Sequence, residues 1–218
     1  MTGVFLETYP LLEKYKIPFQ PELLAKSAQH AAKLAKQAGF PVALKVSSST
    51  ITHKTDVGGV QLNLRSEQEV INAYNLMEKS IGNKMDGAKV QKMAPHGFEL
   101  IVGGVRDSQF GHLVLFGLGG IYVEVFKDLV FRVCPIDKPL ALEMIHSIKA
   151  YKMLSGSRGR PPVDENAIAD VIVKTSKMMV EEGLDELDFN PLIANEKGCV
   201  VVDCRISKKA ETKESETE

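Results

Sequence analysis

The stretch VALKVSSSTITHKTDVGGVQLNL, residues 42–64, decides the fold class. VALKVS (42–47) is an apolar run broken only by Lys45, and it reads as a strand. VGGVQLNL (57–64) alternates apolar and polar positions and reads as a second strand. No helical pattern separates them, an order that looks like an antiparallel hairpin.

Outward from this hairpin the pattern turns helical on both sides. PELLAKSAQHAAKLAKQAG, residues 21–39, places Leu23, Leu24, Ala28, Ala31, Leu34, Ala35 and Ala38 on one face, and Gly39 with Pro41 ends it. Ser66 and Glu69 form a capping box that opens a helix running to about Ile81. Gly82 and Gly87 bracket the turn that follows. The first ninety residues therefore read helix, strand, strand, helix, strand.

Strands dominate the remainder: AKVQKM, FELIVGGV, HLVLFGL, IYVEVF and LVFRVC are short apolar runs between turn residues. Two helices follow, PLALEMIHSIKAY and one opened by Asp164 and ending near Glu182, with the loop SGSRGRPP between them carrying Arg158 and Arg160. ELDFNPLIA, a turn at NEKG and CVVVDCRI close the folded part. After Ser207, KKAETKESETE holds no apolar residue larger than alanine and reads as a disordered tail. There is no internal repeat. Helices interrupting antiparallel hairpins give an α+β fold in two α/β lobes, residues 1–90 and 91–207, with a tail over 208–218.

Composition bounds the class. With 218 residues, 44% hydrophobic and 25% charged, the chain can bury a substantial core without staples. Lys and Arg number 27 against 28 Asp and Glu, a formal net charge of −1, which excludes the broad basic field of nonspecific nucleic-acid binding. Cys134, Cys199 and Cys204 form no C-x-x-C pair, and reduced, partly buried thiols in a cytoplasmic protein are expected. MTGVFLETYPLLEKYK has acids and a proline where a signal peptide needs an apolar core, and no run reaches the length of a membrane helix.

Four features carry chemistry. In HKTDVGGV, His53 precedes the pair Gly58–Gly59. Such a loop lets backbone N–H groups approach phosphate oxygens, or it is a tight turn whose histidine is merely solvated. In FGLGGIYVEVFKD, Gly117, Gly119 and Gly120 call for close approach by a ligand or by another backbone, and the run that follows is β-branched, which disfavours a dinucleotide fingerprint. Glu186, Asp188 and Asn190 alternate along ELDFNPLI, and hairpin pairing brings Asp203 opposite them. These hard oxygen donors suit Mg2+ with phosphate oxygens, or else form the polar face of a sheet. Lys45, inside an apolar strand, either snorkels to solvent or pairs with a phosphate or a carboxylate, and Glu99 at the head of ELIVGG poses the same question with opposite sign. His30, His96, His112 and His146 lack such a setting and read as structural or solvated.

Taken together and in order, Lys45, HKTDVGGVQLNL, VQKMAPHGFELIVGGVRDSQFG, FGLGGIYVEVFKDLVFRVCPI, IKAY, SGSRG and ELDFNPLI…VVVDCRI resemble the β subunits of ADP-forming acetyl-CoA synthetases. These are ATP-grasp proteins of the NDP-forming acyl-CoA synthetase superfamily, and the likeness spans roughly residues 5–206. The resemblance implies an ATP-grasp fold with ATP or ADP between two lobes, and a ligase active only with a CoA-binding α subunit in an α2β2 heterotetramer. It implies Lys45 on the α- and β-phosphates, Gln91, Lys92 and Met93 at the adenine-reading hinge, and Glu99 near ribose and phosphates. Asn190 and Asp203 would hold Mg2+. His53 would relay a phosphoryl group beside Gly58 and Gly59, Glu124 would support the phosphohistidine or the metal, and Arg132 would lie near phosphate. No nucleic acid or membrane partner is implied. Two other readings stay open: a nucleotide-sensing ATP-grasp module, and a succinyl-CoA synthetase-like β subunit. The histidine loop and the chain length count against the second.

Overall fold

The computed structural model describes residues 3–5, 8–48, 50–51, 57–120, 128–156, 159 and 161–209. In chain order its strands and helices begin with β1 (Gly3–Phe5), α1 (Thr8–Lys14), β2 (Glu22–Ala25), α2 (Ala28–Ala38), β3 (Val42–Ser47) and β4 (Val60–Leu64). Next come α3 (Glu67–Ile81), β5 (Gly87–Lys92), β6 (Phe98–Asp107), β7 (Gly111–Leu118) and β8 (Leu129–Val133). The rest are α4 (Lys138–Ser147), α5 (Tyr151–Leu154), α6 (Glu165–Glu181), β9 (Glu186–Asn195), β10 (Gly198–Val201) and β11 (Cys204–Lys209). The chain divides into two compact units, Gln20–Ala94 and Met1–Phe19 with Pro95–Glu218.

The smaller unit is a four-stranded antiparallel sheet in the order β2-β5-β3-β4. Strand periodicity sends Val42, Leu44, Ala88 and Val90 to one face, where they meet Ala28, Ala31 and Ala35 of α2 and Val70, Ala73, Tyr74 and Met77 of α3. Small side chains along α2 let the two helices approach closely. Both helix starts are locally specified: the Ser27 and Ser66 hydroxyls accept from the N–H groups of His30 and Glu69. The Glu69 carboxylate reaches back to the N–H of Arg65.

One expected helix begins later than the sequence suggested. Residues 22–25 are strand β2, and α2 opens only after Ser27. Pairing with β5 satisfies the backbone of ELLA, so Leu23 and Leu24, expected on a buried helical face, are exposed.

Among the described residues of the larger unit, seven strands make one antiparallel sheet, ordered β1-β11-β9-β6-β7-β8 with β10 on β9. Leu100, Val102, Val114, Phe116, Phe189 and Leu192 meet Ile168, Ile172, Met178 and Met179 of α6 in its core. A Cβ at Gly104 would overlap the Met179 side chain, so this glycine gives that methionine of α6 its room against β6. Asp164 caps α6, accepting from Ala167 N–H. The segment expected as one helix, residues 139–151, is two: α4 ends at Ser147, and Ile148 is extended before α5.

The N-terminal segment packs with the larger unit, which differs from the expected division at residue 90. Leu12 and Ile17 are buried in the larger core, Lys14 pairs with Glu182 at 2.6 Å, and Val201 N–H donates to Pro18 O. β1 pairs with β11, which runs to Lys209, so two residues assigned to the tail belong to a strand. The rest of that tail, residues 210–218, and the expected strand IYVEVF lie outside the described residues.

Candidate functional site

In the smaller unit Lys45 lies on β3, opposite Val60 of β4 and Lys89 of β5. Its Nζ donates to Glu22 Oε1 at 2.9 Å, and both side chains are 8% exposed. Lys89 Nζ donates to the other oxygen, Oε2, at 2.8 Å. Burial alone would raise the Glu22 pKa, but the two ammonium groups outweigh it and hold the carboxyl below its ordinary range. Of the partners open to Lys45 from sequence, the carboxylate is therefore present, and it comes from a residue the sequence reading placed in a helix.

The loop after β3 opens with Ser48, whose Oγ accepts from the N–H groups of Thr50 and Ile51. His53 lies outside the described residues. On the far side, Gly58 has φ +68° with nothing near its absent side chain, so its requirement is conformational. Gly59 O accepts from Val46 N–H at 2.7 Å and continues the ladder. At the end of β5, Gln91 is buried and donates through Nε2 to Gln20 O, Lys92 is exposed, and Met93 N–H donates to Pro41 O. These three residues immediately precede the boundary between the two units.

The larger unit gathers the acidic positions. Asn190 and Asp203 are brought together where the pairing of β9 changes from β10 to β11: Asn190 N–H donates to Asp203 O at 3.2 Å. Asp188 stands opposite Arg205 of β11 and Gly103 of β6. Asp188, Asn190, Asp203, Cys204 and Arg205 line a pocket of about 180 Å3. Asp188 Oδ1 is buried and has no hydrogen-bond partner among the described residues. Burial raises the Asp188 pKa, Arg205 opposes the rise, and Asp203 and Glu186 add to it.

This pocket adjoins the glycine run. Gly120 N–H lies 3.4 Å from Asn190 Oδ1, and a Cβ at Gly120, where φ is +60°, would overlap Glu99 Oε2. Gly119 N–H donates to Glu99 O, and a Cβ there would press on the Leu100 backbone, while Gly117 abuts Asp128 O. Close approach thus accounts for all three glycines, by neighbouring backbone at Gly117 and Gly119 and by the Glu99 carboxylate at Gly120. Gly120 thus links Glu99, near the start of β6, to Asn190 of β9, and Asn190 shares its pocket with Asp188 and Asp203.

The donor set fits Mg2+. Two carboxylates and an amide oxygen are hard ligands, and a cation would satisfy the orphaned Asp188 oxygen. Among the described residues no three His, Cys, Asp or Glu side chains form a metal cluster by themselves. Asp188 was read from sequence as a donor but not as a member of the Asn190–Asp203 pair, and the signal was the period-two alternation along ELDFN.

Other expected positions are differently engaged. Arg132 pairs with Glu143 at 2.7 Å, and His146 Nε2 lies 2.8 Å from Glu165 Oε2. Glu124, Arg158 and Arg160 lie outside the described residues. A larger cavity, about 460 Å3, is bounded by His96, Phe98, Pro161, Val163 and Glu196 and includes none of the metal or phosphate positions. Among the described residues no helix is long and apolar enough to cross a membrane.

The ATP-grasp domain family matches residues 5–207. The β subunit of ADP-forming acetate–CoA ligase I of Pyrococcus furiosus is 42% identical over 206 residues, 92% of this chain and 89% of that one. The chain belongs to the ATP-grasp family of ADP-forming acetate–CoA ligase β subunits. A ligase of the same type from Archaeoglobus fulgidus is also 42% identical over 92% of this chain, which spans only 30% of that longer protein. The solved dinucleotide-forming acetyl-coenzyme A synthetase 1 of Ca. Korarchaeum cryptofilum, in complex with coenzyme A, Ca-AMPCP and HgCl+, has a TM-score of 0.88 at 44% identity. That match covers 95% of this chain and 93% of the other. Another structure of the Korarchaeum enzyme holds coenzyme A and Mg-AMPPCP, with its phosphohistidine segment pointing towards the nucleotide binding site. Its TM-score is 0.81 at 45% identity, covering 93% of this chain and 90% of that one. The α+β ATP-grasp fold expected from sequence is the fold of this protein.

Proposed function

We propose that this chain is the nucleotide-handling β subunit of an ADP-forming acetyl-CoA synthetase. It works in the cytoplasm with a separate CoA-binding α subunit in an α2β2 assembly. The overall reaction is acetyl-CoA + ADP + phosphate ⇌ acetate + CoA + ATP. The observation that carries the reading is the oxygen-donor pocket of Asp188, Asn190 and Asp203 beside Glu99. It sits in a chain similar to a separate β subunit over nearly the whole of both.

Acyl-CoA cleavage and the first phosphohistidine belong to the α subunit. In this chain His53 takes up the phosphoryl group: the P–N bond to the α-subunit histidine breaks as a P–N bond to a His53 ring nitrogen forms. That bond breaks in turn as a terminal oxygen of the ADP β-phosphate receives the group, giving ATP. Such transfers need positioning and charge neutralisation more than covalent chemistry by the protein. A neutral imidazole is a competent acceptor near pH 7. Lys45 neutralises the α- and β-phosphates, Gln91, Lys92 and Met93 present backbone to adenine, and Gly58 and Gly59 shape the loop carrying His53. Asn190 and Asp203, with Asp188, are the residues that would hold Mg2+. The ion supplies charge neutralisation on the phosphates when bound. Glu99 borders ribose and phosphates, and Glu124 supports the phosphohistidine.

The test is reconstitution. The chain mixed with an α partner, acetyl-CoA, ADP, phosphate and Mg2+ is expected to form ATP, and neither subunit does so alone. Failure to form ATP from any acyl-CoA with any α partner overturns the enzyme reading. A His53→Ala protein that keeps full ATP formation overturns the relay while leaving the nucleotide site standing.

A further inference from the structure

The sheet of the larger unit has one face against α6 and one turned away from it. Leu100 and Val102 of β6 and Val114 and Phe116 of β7 fill the helix-covered core. The odd-numbered positions of these strands therefore share the opposite face. Register aligns them across β6, β7 and β8 in the rows Val105–Leu113–Val133 and Gly103–Leu115–Phe131. Every position in both rows is apolar or glycine, whereas a sheet face meant for water carries polar side chains.

This face is open in the chain. Val105 is 37% exposed, Phe131 45% and Val133 53%, and the turn joining β6 to β7 adds Phe110 at 63%. A contiguous apolar surface of this kind marks an interaction site, where single exposed residues would not. The turn is built to hold its shape: Asp107 Oδ1 accepts from the N–H groups of Gln109 and Phe110, and Gly111 takes φ +75°. An aromatic residue on a pre-ordered turn loses little further freedom on binding. Among the described residues β8 is also an edge of the sheet, and an apolar edge left uncovered invites aggregation. On the β9 side, Gly103 stands opposite Asp188 of the oxygen-donor pocket, so the apolar rows run directly into that pocket.

We propose that this face, Val105, Leu113, Leu115, Phe131 and Val133 with Phe110 at its tip, is the seat of the CoA-binding α subunit. The proposal rests on the synthetase reading above and names the surface its partner uses. Relay through His53 couples the partner's phosphohistidine to the nucleotide, and a seat bordering the oxygen-donor pocket keeps that path short. A second copy of this chain would bring no phosphoryl donor to the pocket. The chain spans only 30% of the Archaeoglobus ligase, where a domain of this kind is permanently joined to the rest of the protein, and permanent interfaces are the more apolar ones. The exposed Glu186, opposite Val105, gives the face an acidic border. The matching partner surface is apolar with a basic flank.

Sedimentation velocity and titration with the separately purified α partner test this on Phe110→Ser, Val133→Lys and the double variant. Leu76→Lys, at an exposed apolar position of α3 in the smaller unit, is the control. Each single variant is expected to weaken α binding about tenfold, and the double about a hundredfold. Melting temperature and Mg-ADP binding of the isolated chain stay as in wild type, and ATP formation returns when α is supplied in excess. Leu76→Lys keeps wild-type affinity for α. Wild-type affinity in the double variant overturns this proposal alone, as does an equal loss in Leu76→Lys. Loss of self-association by the isolated double variant, with α affinity intact, also overturns it and makes the face a contact between copies of this chain. A wild-type chain that binds no α partner overturns the synthetase reading and this proposal together.

Discussion

The two units treat buried charge in opposite ways. In Gln20–Ala94 the buried Lys45 is already paired with Glu22, whose carboxylate also holds Lys89. In the larger unit Asp188 keeps a buried oxygen without a hydrogen-bond partner among the described residues, in a pocket shared with Asp203 and Asn190. Breaking a satisfied buried pair leaves an uncompensated charge, whereas neutralising an unsatisfied carboxylate removes a cost. One unit is organised before binding, and the other is stabilised by it.

The sharpest way to break this contrast is at Glu22. Glu22→Ala is expected to destabilise the protein by about 3–5 kcal/mol in denaturant unfolding, because the buried Lys45 and the neighbouring Lys89 lose the carboxylate they share. Asp188→Asn should be neutral or stabilising in the same measurement, and a loss as large as that of Glu22→Ala would erase the distinction. Next in size is Asp203→Asn, expected to lower the ATP-forming rate on the order of 100-fold with stability retained. A rate within about twofold of wild type would remove Asp203 from the site.

Mg2+ should raise the melting temperature of the wild-type chain by about 2–4 °C at concentrations near ten times Kd, equivalent to about 1.4 kcal/mol, through binding to the folded state only. Asp188→Asn and Asp203→Asn should lose most of that shift, while Glu22→Gln retains it.

The smallest effect is in pH. The folded Glu22 carboxyl titrates below the ordinary carboxylate range, so its contribution is fully present above that range and is lost as pH falls through the lower, folded value. The stability difference between wild type and Glu22→Gln should hold from pH 7 down to about 5 and shrink at more acid pH. A constant difference down to pH 2 would show that charge is not its source.

What was legible in the sequence was local. Caps at Ser66 and Asp164 depend on neighbours three residues on, and the β3–β4 pairing joins strands adjacent in sequence. The approach of Asn190 to Asp203 follows from period-two alternation around a short turn at 195–198. The strand state of β2 depends on β5, more than sixty residues later, and so it is not legible from residues 21–39 alone. Glu22 was missed with it, since its role exists only once β2, β5 and β3 lie side by side. The placement of α1 was equally non-local, depending on Leu12 meeting the larger core and Lys14 meeting Glu182.

That placement of α1 bears on synthesis. The first nineteen residues leave the ribosome before any part of the core they join, because α6, β9 and β11 are encoded beyond residue 164. The 20–94 unit has its own core cluster and a closed set of strand pairs, so it can fold while the opening segment still waits. Translation therefore holds an amphipathic helix unpartnered for most of the chain's length, an interval in which a chaperone would find Leu12 and Ile17 before their native neighbours do.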